Sequence, residues 1–370
     1  MPPAFRQRLL QLHLLAGLTA GIVLTTVAVA GAWMVFRPQL EPQAYPELFT
    51  VAPGTERVPL DMLAASAGAA YPGRKMNLVR FWSDPTRSAM IRCTNGDQIY
   101  LDPWTGRVLG MQNRYRGLFG YAESIHRFLG LGSSFGTHVT AVAALLFIFI
   151  ILSGLVLWLP SAWRAVRNAL TLNFRLTGRA RLLNWHRTLG AYAAVFVLLS
   201  AITGLPHAYY WYEHAIYRVT GSPLPEAPVA SPSGPGQLPV EQLWRRAHAE
   251  LPDYESANLY FPKDGDNAAG IWIVGADAPH PHARSQYYVD AATGVLLRAT
   301  PYAESSAGHK LFYWMLAWHL GQAGGPVTQV LVFLATLCVP VLAVTGAWSY
   351  FRRTRRRPKL QAFDPPQERE

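Results

Sequence analysis

The chain is predicted to be a membrane protein of four transmembrane α-helices arising from an internal duplication, with two α+β domains outside the bilayer. Three observations predict it: four long stretches without a charged side chain, a short pattern written twice 188 residues apart, and a one-sided distribution of arginine. Of 370 residues, 51% are hydrophobic and only 15% charged, which is unusual for a water-soluble protein.

Segments 9–36, 128–163, 188–212 and 311–351 contain no Asp, Glu, Lys or Arg. Each exceeds the roughly 20 residues with which a helix crosses about 30 Å of hydrocarbon. Transmembrane helices are therefore expected at 9–36, 136–159, 182–212 and 326–351. The alternative for the first, a cleaved signal peptide, is disfavoured because its apolar run is too long and "VAVAGAWMVFRP" continues into bulky aromatics.

Arginine orients these helices. Arg6 and Arg8 precede the first; Arg164, Arg167, Arg175, Arg179 and Arg181 fill the loop at 160–181; Arg352, Arg353, Arg355, Arg356, Arg357 and Lys359 open the tail at 352–370. The long loops at 37–125 and 213–310 mix both signs. The positive-inside rule puts both termini, the basic loop and the tail in the cytoplasm, and both long loops outside. The net charge of +11 is thus a topology signal, and nothing in it calls for nucleic acid. The stretch "SPLPEAPVASPSGPGQLP", 222–239, reads as a Pro-rich linker into the second outer domain.

"QIYLDPWTGRVL" at 98–109 and "QYYVDAATGVLL" at 286–297 share Q-x-Y-x-D-x-x-T-G-x-x-L. Alternation followed by Thr-Gly and a return to apolar residues is how a β-hairpin is written. The flanking chain repeats as well. His13 precedes Gly31 by 18 residues and His186 precedes Gly204 by 18; His126 precedes Gly154 by 28 and His319 precedes Gly346 by 27. Each half therefore reads as helix, outer β-containing domain, re-entry segment, helix.

Duplication leaves His13 equivalent to His186 and His126 equivalent to His319. Imidazoles near membrane helices are uncommon and point to function. Two halves facing each other would bring equivalent residues together, an arrangement that suits iron held by two axial imidazoles. Gly17, Ala20 and Gly21, with Gly190, Ala193 and Ala194, leave room for a flat macrocycle; ordinary close helix packing is the other reading of these small residues. His13 and His186 lie near the cytoplasmic arginines and the other pair near the outer face. His138 is the alternative outer ligand, since "GLGSS" separates it from His126. His207 and His309 face outward as interfacial hydrogen bonders or contacts to a propionate or substrate, and His280 and His282 form an H-x-H in an exposed loop. The rings Phe312, Tyr313, Trp314 and Trp318 beside His319 are either part of a docking surface or an interfacial belt.

The segments "LHLLAGLTAG", "IHRFLGLG", "NWHRTLGAY" and "AWHLGQAGG", together with the twin hairpins, resemble the PepSY-associated transmembrane family, and within it the FoxB-type ferrioxamine reductases of the inner membrane. The resemblance implies PepSY-like periplasmic domains, two haems b on His13, His186, His126 and His319, and reduction of a periplasmic ferric hydroxamate siderophore. It also implies a place in the bacterial inner membrane, in contact with lipid. No catalytic residue beyond the haem ligands is assigned. There is no P-loop, zinc motif, flavin or nicotinamide unit and no cysteine pair, since Cys93 lies in an outer loop and Cys338 in the fourth helix. Electrons are therefore expected from quinol or a cytoplasmic donor. A cofactor-free PepSY regulatory module and a siderophore permease are the alternatives.

Overall fold

The computed structural model describes residues 2–159, 166–228, 237–262 and 267–354. The start of the basic loop, the middle of the Pro-rich linker and most of the expected tail lie outside them.

Along the first part of the chain come α1 (Pro3–Met34), α2 (Arg37–Ala44), α3 (Pro46–Phe49), α4 (Leu60–Ala70), β1 (Met76–Trp82), β2 (Ala89–Cys93), β3 (Asp97–Leu101), β4 (Val108–Asn113), α5 (Gly117–Phe128) and α6 (Ser133–Trp158). The second part holds α7 (Val166–Ala169), α8 (Gly178–Gly204), α9 (Tyr210–Val219), α10 (Val240–His248), β5 (Tyr254–Tyr260), β6 (Ala268–Gly275), β7 (Arg284–Asp290), β8 (Leu296–Thr300), α11 (Ala307–His319) and α12 (Gly325–Thr354).

Helices α1, α6, α8 and α12 are each long and apolar enough to cross a membrane. Their inward positions are small, with Ala20, Ala28, Ala143, Ala193, Ala194 and Ala335 forming a tight core beside Leu24, Ile151, Val197 and Val339. Small residues let helices approach closely where the solvent outside is hydrocarbon. Outward positions such as Ile22, Leu152, Val195 and Val344 are bare apolar side chains. Pro340 lies inside α12, as membrane helices tolerate when neighbours satisfy the freed backbone. The third span starts at Gly178, ahead of the expected 182, and stops at Gly204, well short of 212. Pro206 has no N–H to continue the ladder; Leu205–His207 tightens into a 3-10 turn, and α9 restarts as a separate helix.

The eight strands form one antiparallel sheet in the order β4-β3-β2-β1-β5-β6-β7-β8. The two outer domains expected from sequence are thus fused edge to edge through β1 and β5, with Val79 opposite Leu259. Pairing these two edges leaves neither strand open as a template for other chains. One face of the sheet carries Val79, Phe81, Ile91, Ile99, Ala257, Leu259, Ile271 and Tyr287 against Leu63, Ala67, Leu243 and Ala247 of α4 and α10. Those two helices cap each other: Asp61 accepts from the N–H groups of Val240 and Glu241 at 2.7 and 3.0 Å, and Glu241 accepts from the Leu60 N–H at 3.2 Å. Carboxylates at helix N-termini satisfy otherwise orphaned donors.

The repeated hairpins turn in the same way. In the first, Asp102 accepts from Trp104 N–H at 2.9 Å and from the Thr105 hydroxyl at 2.8 Å, its carbonyl accepts from Gly106 N–H, and Gly106 has φ +75°. In the second, Asp290 accepts from Ala292 and Thr293 N–H, its carbonyl accepts from Gly294 N–H, and Gly294 has φ +73°. The Asp side chain and the left-handed glycine are what the turn needs, which explains why D-x-x-T-G is written twice.

Candidate functional site

Two short helices return the chain from the sheet towards the bundle, and each ends in a histidine-bearing turn. Helix α5 breaks at Leu129, φ +52°, and Gly130 and Gly132 with φ +71° and +83° turn the chain into α6. The turn is tight: a Cβ on Gly136 would lie 2.1 Å from the Phe128 carbonyl oxygen. His126 is thereby held in the last turn of α5, and His319 is the last residue of α11.

Each of the four predicted ligands lies over a glycine of a neighbouring helix. A Cβ on Gly31 would come 2.9 Å from His126 Cε1, and one on Gly204 would come 2.8 Å from His319 Cε1. The same construction gives 3.1 Å between Gly154 and His13 and 3.1 Å between Gly346 and His186. Within each half the seating is reciprocal: α1 carries His13 and seats His126, while α8 carries His186 and seats His319. The 18-residue offsets from His13 to Gly31 and from His186 to Gly204 therefore each join, on one helix, a predicted ligand and the seat of the opposite one.

The seats also fix the tautomer. His126 Nδ1–H donates to the Val27 carbonyl at 2.9 Å, His319 Nδ1–H to the Ser200 carbonyl at 2.9 Å, and His186 Nδ1–H to the Leu342 carbonyl at 3.0 Å. Each of those carbonyls lies four residues before the seating glycine. His13 Nδ1 pairs with Ser153 Oγ at 2.9 Å; the Ser153 hydroxyl itself donates to the Ile150 carbonyl, so His13 is the donor here too. A ring whose Nδ1 carries the proton keeps its Nε2 lone pair for a metal, and such a carbonyl or hydroxyl partner is the usual companion of a ligating histidine.

The rings then meet in pairs across the two halves. His13 and His186 have centroids 6.3 Å apart, and His126 and His319 have centroids 5.9 Å apart. A ligating imidazole nitrogen sits about 2 Å from its metal and the ring centre about 1 Å further, so two rings sharing one metal have centres about 6 Å apart. Among the described residues no group of three or more His, Cys, Asp or Glu is placed to hold a metal. A metal at either pair would take its remaining ligands from outside these side chains. Positions Gly17 and Gly21, four and eight residues after His13 and so on its face of α1, have open space where a Cβ would stand. The donor set and this space fit a bis-imidazole haem. Along α1 the two levels, His13 and Gly31, are about 27 Å apart.

Other sequence candidates fall elsewhere. His138 is exposed on α6, its ring 6.4 Å from Tyr209, and is not brought to His319. His207 does come near, 6.4 Å from the His319 ring and 5.3 Å from Phe312. His309 is buried, with Nε2 near the Arg284 carbonyl at 3.3 Å. The H-x-H is no exposed loop: His280 is 3% exposed and lies on Trp314, and His282 Nε2 meets Gln322 Oε1 at 2.7 Å. Burial pulls both imidazoles down to about 4, with Arg284 adding to the effect on His282. Tyr313 and Trp314 are likewise occupied beneath the sheet, Tyr313 under Arg284 and Trp314 against His280.

Glu123, one turn before His126, is a residue the sequence did not single out. It is 7% exposed and accepts from Arg37 at 2.8 Å, from Arg114 at 2.6 Å and from Arg127 at 3.4 Å. Burial pushes its carboxyl up, but the Arg114 and Arg37 guanidiniums outweigh this and hold it below the usual glutamate range. A depressed carboxylate stabilises the fold above its unfolded pKa, and that stabilisation is lost as pH falls through the folded value. Glu123→Gln is expected to cost about 3–5 kcal/mol by leaving guanidiniums unpaired, and to flatten the acid limb of the stability profile. Thermal unfolding in detergent at pH 7 and pH 4 checks both effects; an unchanged acid limb would show that Glu123 is not the titrating group.

A bundle of four membrane-length helices carrying an antiparallel sheet defines a multi-span membrane protein with a folded domain outside the helices. Residues 10–353 match the family model described as the PepSY-associated TM region, and the chain belongs to that family. A search of curated proteins finds no match.

Proposed function

We propose that the protein is an inner-membrane dihaem b reductase that carries electrons across the bilayer to a periplasmic ferric siderophore and releases Fe(II). The observation that carries this reading is the set of four imidazoles, each with Nδ1 committed and each paired with its counterpart at about 6 Å. We further infer that the chain is two copies of one unit, since equivalent residues form each pair and equivalent glycines seat them. The arginine asymmetry supports cytoplasmic termini and a periplasmic sheet.

Haem bound between each pair supplies one-electron Fe(III)/Fe(II) chemistry. The protein's part is to fix ring orientation through the Val27, Ser200 and Leu342 carbonyls and Ser153, and to exclude water with the alanine core. His13 and His186 face the side where quinol or a cytoplasmic donor would deliver electrons, and His126 and His319 face the sheet. A hydroxamate chelator holds Fe(III) far more tightly than Fe(II), because hard oxygen donors favour the more highly charged ion, so one electron loosens the iron without destroying the chelator.

The test uses purified, dithionite-reduced protein under anaerobic conditions with excess reductant removed. Addition of ferric hydroxamate chelate is expected to reoxidise the haem bands while ferrozine captures Fe(II) in step. Protein that stays reduced, with no Fe(II) trapped, sinks the siderophore assignment.

A further inference from the structure

The sheet face away from α4 and α10 gathers positive charge at the β1–β5 junction. Arg80 on β1, Arg92 on β2 and Arg284 on β7 alternate out of the helix-covered face and point to this underside, each half-buried. Arg284 lies over Tyr313 of α11, and its neighbour His282 bonds Gln322, three residues beyond His319. The cluster is thus tied to the element that carries the outer histidine.

These groups lack the acidic partners that buried charge demands, Arg284 meeting only the Trp272 and Tyr313 rings. Among the described residues none of the three guanidiniums is in an ion pair; Arg80 donates only to the neutral Asn258 side chain. Arg92 Nε, Arg284 Nε and His282 Nδ1 are buried without a hydrogen-bond partner. The acid whose charge reaches Arg92, Glu123, is already taken by Arg37, Arg114 and Arg127. Burial, with Arg92 and Arg284 alongside, pulls Arg80 down to about 9. Uncompensated buried charge is strongly destabilising, and a chain that retains three such guanidiniums together has a use for them. Guanidinium forks match carboxylates bidentately, and the donors left over here are the kind a bound carboxylate would consume.

We infer that Arg80, Arg92 and Arg284, with His282, form a binding site for a carboxylate-bearing ligand between the sheet and the outer histidine pair. The carboxylates have two possible sources, the propionates of a macrocycle held by His126 and His319 or a free polycarboxylate chelate arriving at the sheet. The first source rests on the haem reading; the second does not. A free polycarboxylate ligand would make the acceptor an anionic carboxylate chelate in place of the hydroxamate.

The experiment titrates citrate into the purified full-length protein by calorimetry, and measures haem content and midpoint potentials of the same samples. Arg80→Gln, Arg92→Gln and Arg284→Gln are compared with Arg92→Lys, which keeps the charge. A free-ligand site is expected to bind citrate, with affinity falling about tenfold or more in each Gln variant, as losing a charge-assisted hydrogen bond implies, and falling less in Arg92→Lys. Haem content would then be unchanged. A propionate site is expected to show no citrate binding, but a lower outer-haem potential or lost outer haem in the Gln variants. As a folding control, the Gln variants should unfold at the same or higher temperature without ligand, because each removes a like charge. Citrate binding to protein that holds no haem would support the site while removing the haem reading. Citrate binding, haem content and potentials that are all indifferent to the three arginines would overturn the proposal.

Discussion

Replacing His126 or His319 by alanine is expected to cut haem content to about half, leaving the bands of the inner centre, because a bis-imidazole iron loses its site with either ligand. His13→Ala and His186→Ala should remove the other half. Within each pair the two single variants should look alike and the double variant no worse than either, since the two residues act as one site. His138→Ala should keep full content, its ring lying at Tyr209. Pyridine haemochrome assays on detergent-purified protein decide this, and retention of two haems in His126→Ala with loss in His138→Ala would reverse the ligand assignment. His207→Ala, whose ring is 6.4 Å from His319, is expected to shift the outer bands without emptying the site.

The second large effect comes from residues that carry no chemistry. Gly31→Val and Gly204→Val would drive side-chain carbon into the His126 and His319 rings, where even a Cβ lies within 2.9 Å. Overpacking of this kind costs about 1–3 kcal/mol, and here the neighbour that must give is the ligand itself. Loss of the outer haem is expected with the inner one intact. Gly154→Val and Gly346→Val should do the converse. Alanine should be milder at Gly154 and Gly346, where a Cβ would stop 3.1 Å from the ring, than at the outer seats. Separate spectra of the two centres in each variant provide the readout; valine variants at Gly31 or Gly204 with unaltered outer spectra would show that the glycines are not seats.

Much of this arrangement is legible in the sequence, and the missing parts share a physical cause. Charge-free runs give the four spans because hydrocarbon penalises charge whatever the packing, and D-x-x-T-G gives the hairpins because its hydrogen bonds are local. The offsets His13 to Gly31 and His186 to Gly204 are equal in the sequence, yet nothing there says that each glycine seats the other segment's histidine. That contact links residues such as Val27 and His126, 99 positions apart. The same holds for the β1–β5 junction: two separate outer domains are the natural reading until the edge pairing of Val79 with Leu259 is seen. The H-x-H at His280 looks like a polar loop because its burial comes from Tyr302 and Trp314 further along the chain, and Glu123 looks like an ordinary helix acid beside Arg127 because Arg37 lies 86 positions away.

The most direct measurement is the visible spectrum of the detergent-purified protein, air-oxidised and dithionite-reduced, with haem counted per chain. Paired imidazoles at both levels predict a Soret band that sharpens on reduction, the α and β bands of six-coordinate low-spin haem b, and two haems per chain. Protein that is folded, carries no Soret band and binds no added haem would contradict the assignment of His13, His186, His126 and His319 as ligands.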